Sequence, residues 1–302
     1  MSPFFQLSPF FQHTLAKPAT FSGVGVHTGK PVSVTVLPAA AGAGIAFVRS
    51  DQHAGDRTVK ACGDAVVDTR LCTTIANQDG ATVSTVEHLM AVFCALGIDN
   101  AVVEIDGPEM PIMDGSCQLL VRAFDRAGRV HQASPRRYIE ILSPIAVIDG
   151  EKRARLLPAD RFEVAFEIAY DNPTIGRQGI DLAVDEATFR VELADCRTFG
   201  FLHEVEALRA AGLARGGGLE NAVVIEGARV LNPEGLRRPD ECVRHKALDA
   251  IGDLYLLGAP LIGRYEGLYA GHALNNALVR EVLGRPDAWR FAGAPQDFAV
   301  AV

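Results

Sequence analysis

Apolar residues recur along this chain with two periods, and the switches between them mark out its elements. Gly23, Gly25 and Gly29 flank Val24, Val26 and His27, and then Val32, Val34 and Val36 alternate with polar neighbours as in a half-buried strand. Further strands are predicted over 45–48 and at Val83. From Ser84 the period lengthens. Leu89, Met90, Val92, Phe93 and Leu96 form one helical face that Gly97 closes. A strand over 101–105, a turn-rich loop over 107–115 and a second helix over 116–127 follow. Pro135 and two arginines make 131–137 a linker. Strands resume over 138–141, 154–157 and 162–168. Gly212, Gly216, Gly217 and Gly218 then punctuate a short helical piece over 204–211 and a strand over 222–225. The longest helix is predicted over 240–257. Pro239 and Asp240 start it, Gly258 and Pro260 stop it, and Ala247, Leu248, Ile251, Leu254 and Tyr255 recur at helical spacing. A strand near 261–265 and a helix over 273–283 complete the pattern.

The two halves end alike, with helix, strand, helix, although residue identity between them is weak. That predicts an α+β fold of two similar domains, 20–130 and 138–302, whose first helices face one another across a cleft. Residues 1–19 read as a disordered leader. They contain a small duplication, Ser2-Pro3-Phe4-Phe5-Gln6 and Ser8-Pro9-Phe10-Phe11-Gln12, for which we have no physical account.

Bulk properties narrow the function. The chain has 302 residues, 48% of them hydrophobic and 22% charged, values of a soluble globular protein. A net charge of −8 leaves no basic face for nucleic acid. No apolar run approaches the roughly 20 residues of a spanning helix, and no basic n-region precedes an apolar core at the N-terminus. Six cysteines without a C-x-x-C pair fit reduced, mostly buried thiols in a cytoplasmic protein.

The chemistry centres on the longest helix. At about 100° per residue, His245 and Asp249 share a face, with Asp253 one turn further along. An imidazole and a carboxylate so spaced can share a cation, or form a surface pair. Upstream, Glu87 and His88 offer a base beside a third ligand. Ser84 followed by Glu87 is also a capping-box pattern, and Glu87 has that second reading. If His88, His245 and Asp249 converge, they make a three-ligand site with one position open, the catalytic arrangement of Zn²⁺; Fe²⁺ suits the same donors. Glu87 is then placed as general base. His272, at the start of the last helix, is the candidate general acid with Asp253 as its orienting partner. An N-terminal helix residue facing solvent is the alternative for His272. The pattern lacks H-E-x-x-H and points to metal-assisted hydrolysis of an amide or ester.

Several stretches carry a resemblance to a known family. They are Val24-Gly25-Val26-His27-Thr28-Gly29, Ser84-Thr85-Val86-Glu87-His88-Leu89, Pro111-Ile112-Met113-Asp114-Gly115-Ser116, Cys196-Arg197-Thr198-Phe199-Gly200-Phe201, the run from Val243 to Asp253, and Gly271-His272-Ala273-Leu274-Asn275-Asn276. Together they resemble the UDP-3-O-acyl-N-acetylglucosamine deacetylases of lipid A biosynthesis, in order over about residues 20–290. The resemblance implies two β-α-α-β domains with the active site between them. It implies Zn²⁺ on His88, His245 and Asp249, Glu87 as base, His272 as acid, and Thr198 stabilising the oxyanion as an acetamide is hydrolysed. It also implies that Phe199 packs on the sugar, that Lys246 reaches a substrate phosphate, and that Lys152 and Tyr170 contact the nucleotide. The segment 201–224 would form an acyl passage, or alternatively an amphipathic helix packed on the core. Arg177-Gln178-Gly179 looks shortened relative to the family. The expected protein is a cytoplasmic monomer that takes a UDP-linked acylated sugar, with no nucleic-acid partner and no membrane span. Rival readings are a zinc hydrolase for another acylated amide and a non-catalytic binder of sugar nucleotides or acyl chains.

Overall fold

The computed structural model describes residues 9–294. In its first half, β1 (Phe11–Leu15), β2 (Ala19–Val24), β3 (Pro31–Pro38), β4 (Ile45–Arg49), β5 (Thr58–Lys60), β6 (Val66–Asp68), β7 (Thr74–Ala76) and β8 (Thr82–Val83) lead into helix α1 (Glu87–Leu96). Strand β9 (Ala101–Ile105) and helix α2 (Gln118–Ala127) follow. The second half runs β10 (Arg129–Pro135), β11 (Tyr138–Ile141), β12 (Ile145–Asp149), β13 (Lys152–Leu157), β14 (Phe162–Ala169) and β15 (Arg177–Ala183). A single turn α3 (Glu186–Thr188), β16 (Phe199–Phe201), α4 (Leu202–Ala210), β17 (Val223–Glu226) and β18 (Arg229–Val230) come next. Helix α5 (Glu241–Tyr255), β19 (Leu261–Leu268), α6 (His272–Gly284) and β20 (Trp289–Ala292) complete the fold.

The expected α+β class is what the chain adopts. The first sheet has the order β2-β3-β9-β4-β5, with β4 parallel to β9 and the other neighbours antiparallel. In the second sheet β12, β13, β19, β14 and β15 repeat that order and those directions, with β14 parallel to β19. Each sheet's central strand, β9 or β19, is preceded by a helix that meets the other half. Those two helices, α1 and α5, pack directly on each other.

Their contact is backbone on backbone. A Cβ built on Gly252 would lie 1.9 Å from the Glu87 carbonyl oxygen and 3.0 Å from the Ala91 nitrogen. Only glycine admits this approach, and its cost inside a helix is accepted for it. Around the crossing Leu89, Val92, Phe93, Leu248 and Ile251 are fully buried, and Tyr255 donates to the Ile98 carbonyl at 2.9 Å.

Three local expectations fail for physical reasons. The leader reading does not hold from Phe11 onward, because β1 pairs antiparallel with β10 and buries His13, Thr14 and Leu15. The same pairing turns most of the 131–137 linker into a strand. Polar residues face inward here: Thr14 donates to the Asn100 carbonyl at 2.7 Å and the His13 N–H to Asp99 at 2.8 Å. The first copy of the Ser-Pro-Phe-Phe-Gln duplication lies outside the described residues. The capping box at Ser84 and Glu87 is also absent. Thr85 adopts φ 60°, the helix starts at Glu87 without a side-chain cap, and the Ser84 hydroxyl accepts from Thr74. Asp240 does stand at the N-cap position of α5, as the start signal predicts, but its side chain pairs with Arg244 and makes no cap bond, and the Gln178 side chain accepts from the Val243 N–H at 3.2 Å. Gln178 belongs to the stretch that looks shortened, which here forms the start of β15.

Substituting Gly252→Ala should force α1 and α5 apart and lower stability by about 1–3 kcal/mol, the usual range for overpacking. Urea or thermal unfolding reads this directly. An unchanged midpoint would mean that the crossing is free to relax.

Candidate metal centre and active site

The crossing of α1 and α5 sets three ligand atoms side by side. His88 Nε2 and His245 Nε2 lie 3.5 Å and 3.3 Å from Asp249 Oδ1. The imidazole centroids are 4.9 Å apart with their planes at 85°. Ligand atoms of the three residues all fall within 4.8 Å of one another, and all three residues are buried. Asp249 Oδ1 has no hydrogen-bond partner among the described residues. A buried carboxylate oxygen without a donor, facing two imidazole nitrogens, is costly for the protein alone and suited to a cation. His245 Nδ1 lies 3.1 Å from the Cys196 carbonyl. A carbonyl can only accept, so Nδ1 carries the proton and Nε2 offers its lone pair.

Electrostatics agree with that geometry. Burial pushes the His245 pKa down, and although Asp249 opposes this it falls to about 4, so the ring is neutral at pH 7. Burial works against ionising Asp249, but His245, His88 and Lys246 outweigh it and hold the carboxyl below its usual range. Burial likewise disfavours charging His88; the Asp249 carboxylate close to its Nε2, and Glu87 beside it, turn the net shift upward. A cation at this point takes over the attraction that otherwise draws a proton to His88.

Glu87, the first residue of α1, turns its carboxylate inward. Oε2 accepts the Thr73 main-chain N–H at 3.0 Å, and Oε1 lies 3.9 Å from His272 Nε2. Burial raises the Glu87 pKa, while His272 and His88 lower it in part. His272 begins α6 and is buried, contrary to the solvent-facing alternative. Its Nδ1 donates to Asp253 Oδ2 at 2.9 Å. Asp253 is held in turn by the Thr73 hydroxyl at 2.6 Å and the Asn275 amide at 2.8 Å; the Tyr265 hydroxyl donates to Asn275 at 2.6 Å. Burial alone would lower the His272 pKa, but Asp253 and Glu87 raise it to about 9.

Glu87, His88, His245, Asp249 and His272 line a cavity of ≈ 470 Å³ together with Thr198, Phe199 and Lys246, while Asp253 and Thr73 do not line it. Thr198 is fixed by its N–H to the Gly115 carbonyl at 2.9 Å and by its own carbonyl to the Val223 N–H at 2.8 Å. Lys246 Nζ lies 3.7 Å from Asp249 Oδ2 and 6.0 Å above the Phe199 ring centroid. From there the cavity extends as an apolar arm past Leu202, Val205 and Leu208 of α4 to Val224 and Leu231. No residue of α4 is fully buried, so the helix lines this arm and does not pack into the core. Tyr170 stands edge-on behind Phe199, with ring centroids 5.8 Å apart, and does not line the cavity. Lys152 lies exposed at the β12–β13 turn and does not line it either.

Some residues escaped the sequence reading. Thr73 touches both Glu87 and Asp253, and no periodicity marks it. Arg197 appeared only as part of a motif. It is fully buried; its Nε and main-chain N–H each donate to Glu241 Oε1 at 2.9 Å, and Nη2 donates to the Gly235 carbonyl at 2.7 Å. Such a buried pair ties the Thr198 segment to the first turn of α5, and removing one partner would strand the other's charge. All six cysteines are free. Burial raises Cys72, on the cavity wall, to about 12, which keeps it a thiol.

No helix among the described residues is long and apolar enough to cross a membrane. The family model for LpxC, UDP-3-O-acyl N-acetylglycosamine deacetylase, matches residues 12–284. The chain is 65% identical over 292 residues to the UDP-3-O-acyl-N-acetylglucosamine deacetylase of Phenylobacterium zucineum (strain HLK1), covering 97% of this chain and 100% of that one. It is 47% identical over 287 residues to the protein of that name from Myxococcus xanthus (strain DK1622), covering 95% and 91%. With the protein of that name from Shewanella sp. (strain ANA-3) it shares 44% identity over 294 residues, covering 97% and 96%. A family match over most of the chain, on a fold that gathers His88, His245 and Asp249 into a possible metal site, means that this chain belongs to the LpxC family of metal-dependent UDP-3-O-acyl-N-acetylglycosamine deacetylases.

Proposed function

We propose that this chain hydrolyses the acetamide of a UDP-linked 3-O-acyl-N-acetylglucosamine, releasing acetate and a free amine early in lipid A biosynthesis. The observation that carries the reading is a single cavity in which the His88–His245–Asp249 cluster lies beside Glu87 and His272 and opens into an apolar arm. A site that only bound its ligand would need neither a buried base nor a buried acid.

Zn²⁺ is the ion we assign to His88, His245 and Asp249, since two imidazoles and one carboxylate suit it; Fe²⁺ suits the same donors. When bound, the ion polarises the amide carbonyl and acidifies a water. The chain's own groups do the rest. Glu87 takes the water's proton on Oε1, the oxygen left free by Thr73, and its raised pKa makes it a better base than a solvated carboxylate. The Thr198 hydroxyl donates to the oxygen that gains charge as the carbonyl carbon becomes tetrahedral. His272, protonated at neutral pH and held at Nδ1 by Asp253, gives its Nε2 proton to the departing nitrogen. Phe199 supports the sugar ring, Lys246 pairs with a phosphate, and α4 lines the path of the acyl chain. Tyr170, behind Phe199, and Lys152, exposed on the β12–β13 turn, are assigned to the nucleotide end. Residues 20–130 and the chain from 138 onward act as two domains closing on the substrate. The protein works as a cytoplasmic monomer, for which light scattering is the direct test.

Glu87→Gln should reduce kcat by about 10²–10⁴-fold while about one metal ion per chain is retained. Acetate release and elemental analysis on the same samples separate the two, and an unchanged kcat would end the role given to Glu87.

His245→Ala should lose both metal and activity. Chelation of the wild type should abolish turnover, which Zn²⁺ restores. A metal-free wild type that still released acetate would overturn the metal assignment.

Activity should fall as pH rises through about 9, because His272 then lacks the proton it must donate. That alkaline limb should vanish from the kcat/KM profile of His272→Gln along with most of the rate. A limb that survives the substitution belongs to another group.

A further inference from the structure

Thr73 lies just before β7, on neither of the helices that carry the ligand cluster, and is fully buried. All of its polar groups are engaged. Its carbonyl accepts the Val86 N–H at 3.3 Å, one residue before α1. The main-chain N–H donates to Glu87 Oε2 at 3.0 Å, and the hydroxyl donates to Asp253 Oδ1 at 2.6 Å. One residue therefore gives a hydrogen bond to each of the two carboxylates that flank His272, one from α1 and one from α5.

The two bonds differ in what they control. The first is a main-chain bond that survives any side-chain change. The second is a short bond to a carboxylate, stronger than a neutral one. Asp253 Oδ2 already receives His272 Nδ1 at 2.9 Å and the Asn275 amide at 2.8 Å. Donors on both oxygens fix the rotation of the Asp253 carboxylate, and with it the plane of the His272 ring. Without the hydroxyl, Oδ1 would be a buried acceptor with no donor, and the carboxylate would turn to find one.

We propose that Thr73 is a positioning residue for the deacetylation. Its hydroxyl sets the Asp253–His272 pair, and its N–H turns Glu87 so that Oε1 is left for the reacting water. The inference rests on the roles proposed above for Glu87 and His272.

The test compares Thr73→Val, which removes the hydroxyl at nearly constant volume, with Thr73→Ser, which keeps it. One readout needs no substrate. In histidine-labelled protein, the downfield Nδ1–H proton of His272, identified by its loss in His272→Gln, should move or broaden away in Thr73→Val and persist in Thr73→Ser. The other is kinetic, with UDP-3-O-acyl-N-acetylglucosamine as probe. Thr73→Val should lose about 10–100-fold in kcat with KM within about twofold, because misplacing the acid leaves binding intact. Thr73→Ser should recover kcat to within about threefold. Should Thr73→Val not fold, Thr73→Ala against Thr73→Ser makes the same comparison. Equal kcat and an unchanged resonance in Thr73→Val would overturn the proposal. So would a loss confined to KM, equal losses in both variants, or a wild type without that resonance. A wild type that releases no acetate overturns the substrate assignment instead, and the resonance still decides the role of Thr73.

Discussion

The approach of α5 to α1 at Gly252 is the constraint on which the site depends. The ligand cluster draws His88 from one helix and His245 and Asp249 from the other, so its dimensions are those of the helix pair. A side chain at Gly252 would meet the Glu87 carbonyl oxygen, the backbone of the residue whose carboxylate faces His272. Spacing between the halves and spacing between the reactive groups are therefore one quantity. The two sheets repeat each other's strand order, and each hands a helix to this contact, so the fold reads as a device for bringing two helix backbones together.

Close packing also concentrates charge. Glu87, Asp249 and Asp253 are three carboxylates at 4% exposure or less within one cluster. They are tolerated because each has donors or positive charge beside it, with Glu87 and Asp253 sharing Thr73 and His272. Asp253 has His272, with donors from Thr73 and Asn275. Glu87 has the Thr73 N–H and the same imidazole at longer range. Asp249 has Lys246 on Oδ2, whereas its Oδ1 has only the two imidazole nitrogens. Surrounding charge holds Asp249 ionised, and its Oδ1, buried without a hydrogen-bond donor among the described residues, shares its space with two potential ligands. Burial that would be expensive elsewhere is here what makes Glu87 more basic, while Asp253 and Glu87 overcome the same burial to hold His272 charged through neutral pH.

How far the sequence carries depends on whether an interaction is local. His245, Asp249 and Asp253 stand on one helical face, and periodicity finds them without knowledge of the fold. The repeated helix-strand-helix pattern also reaches the right class and pairs the right helices. Capping signals misled, because Thr85 bends the chain and releases Glu87 from the helix end that Ser84 seemed to define. In β1 the inward residues are His13 and Thr14, so alternation of polarity gives no hint of a strand that β10 holds in place. Thr73 shows the limit most clearly. Its hydroxyl meets Asp253 across 180 positions of sequence, and a threonine beside a cysteine carries no pattern that announces it.

The apolar arm poses the opposite problem, since its residues were visible in the sequence but their spacing left an acyl passage and a core-packed helix both open. Leu202, Val205 and Leu208 recur at helical spacing, and a helix so patterned ordinarily buries that stripe in a core. Here none of α4 is fully buried, and the stripe faces the open arm of the cavity. Apolar surface left uncovered forgoes burial worth roughly 25 cal/mol per Å², and the contacts of α4 with β16 and β17 leave this stripe only half-buried. Arg209 of α4 reaches back to the Gly217 carbonyl at 2.7 Å, holding helix and turn at a fixed separation. In the proposed reaction the acyl chain takes up the uncovered stripe, so the energy withheld on folding becomes available on binding. Amphipathic spacing therefore identified a surface that seeks apolar contact, and the fold leaves that surface on the cavity wall, half-buried, where the core does not reach it.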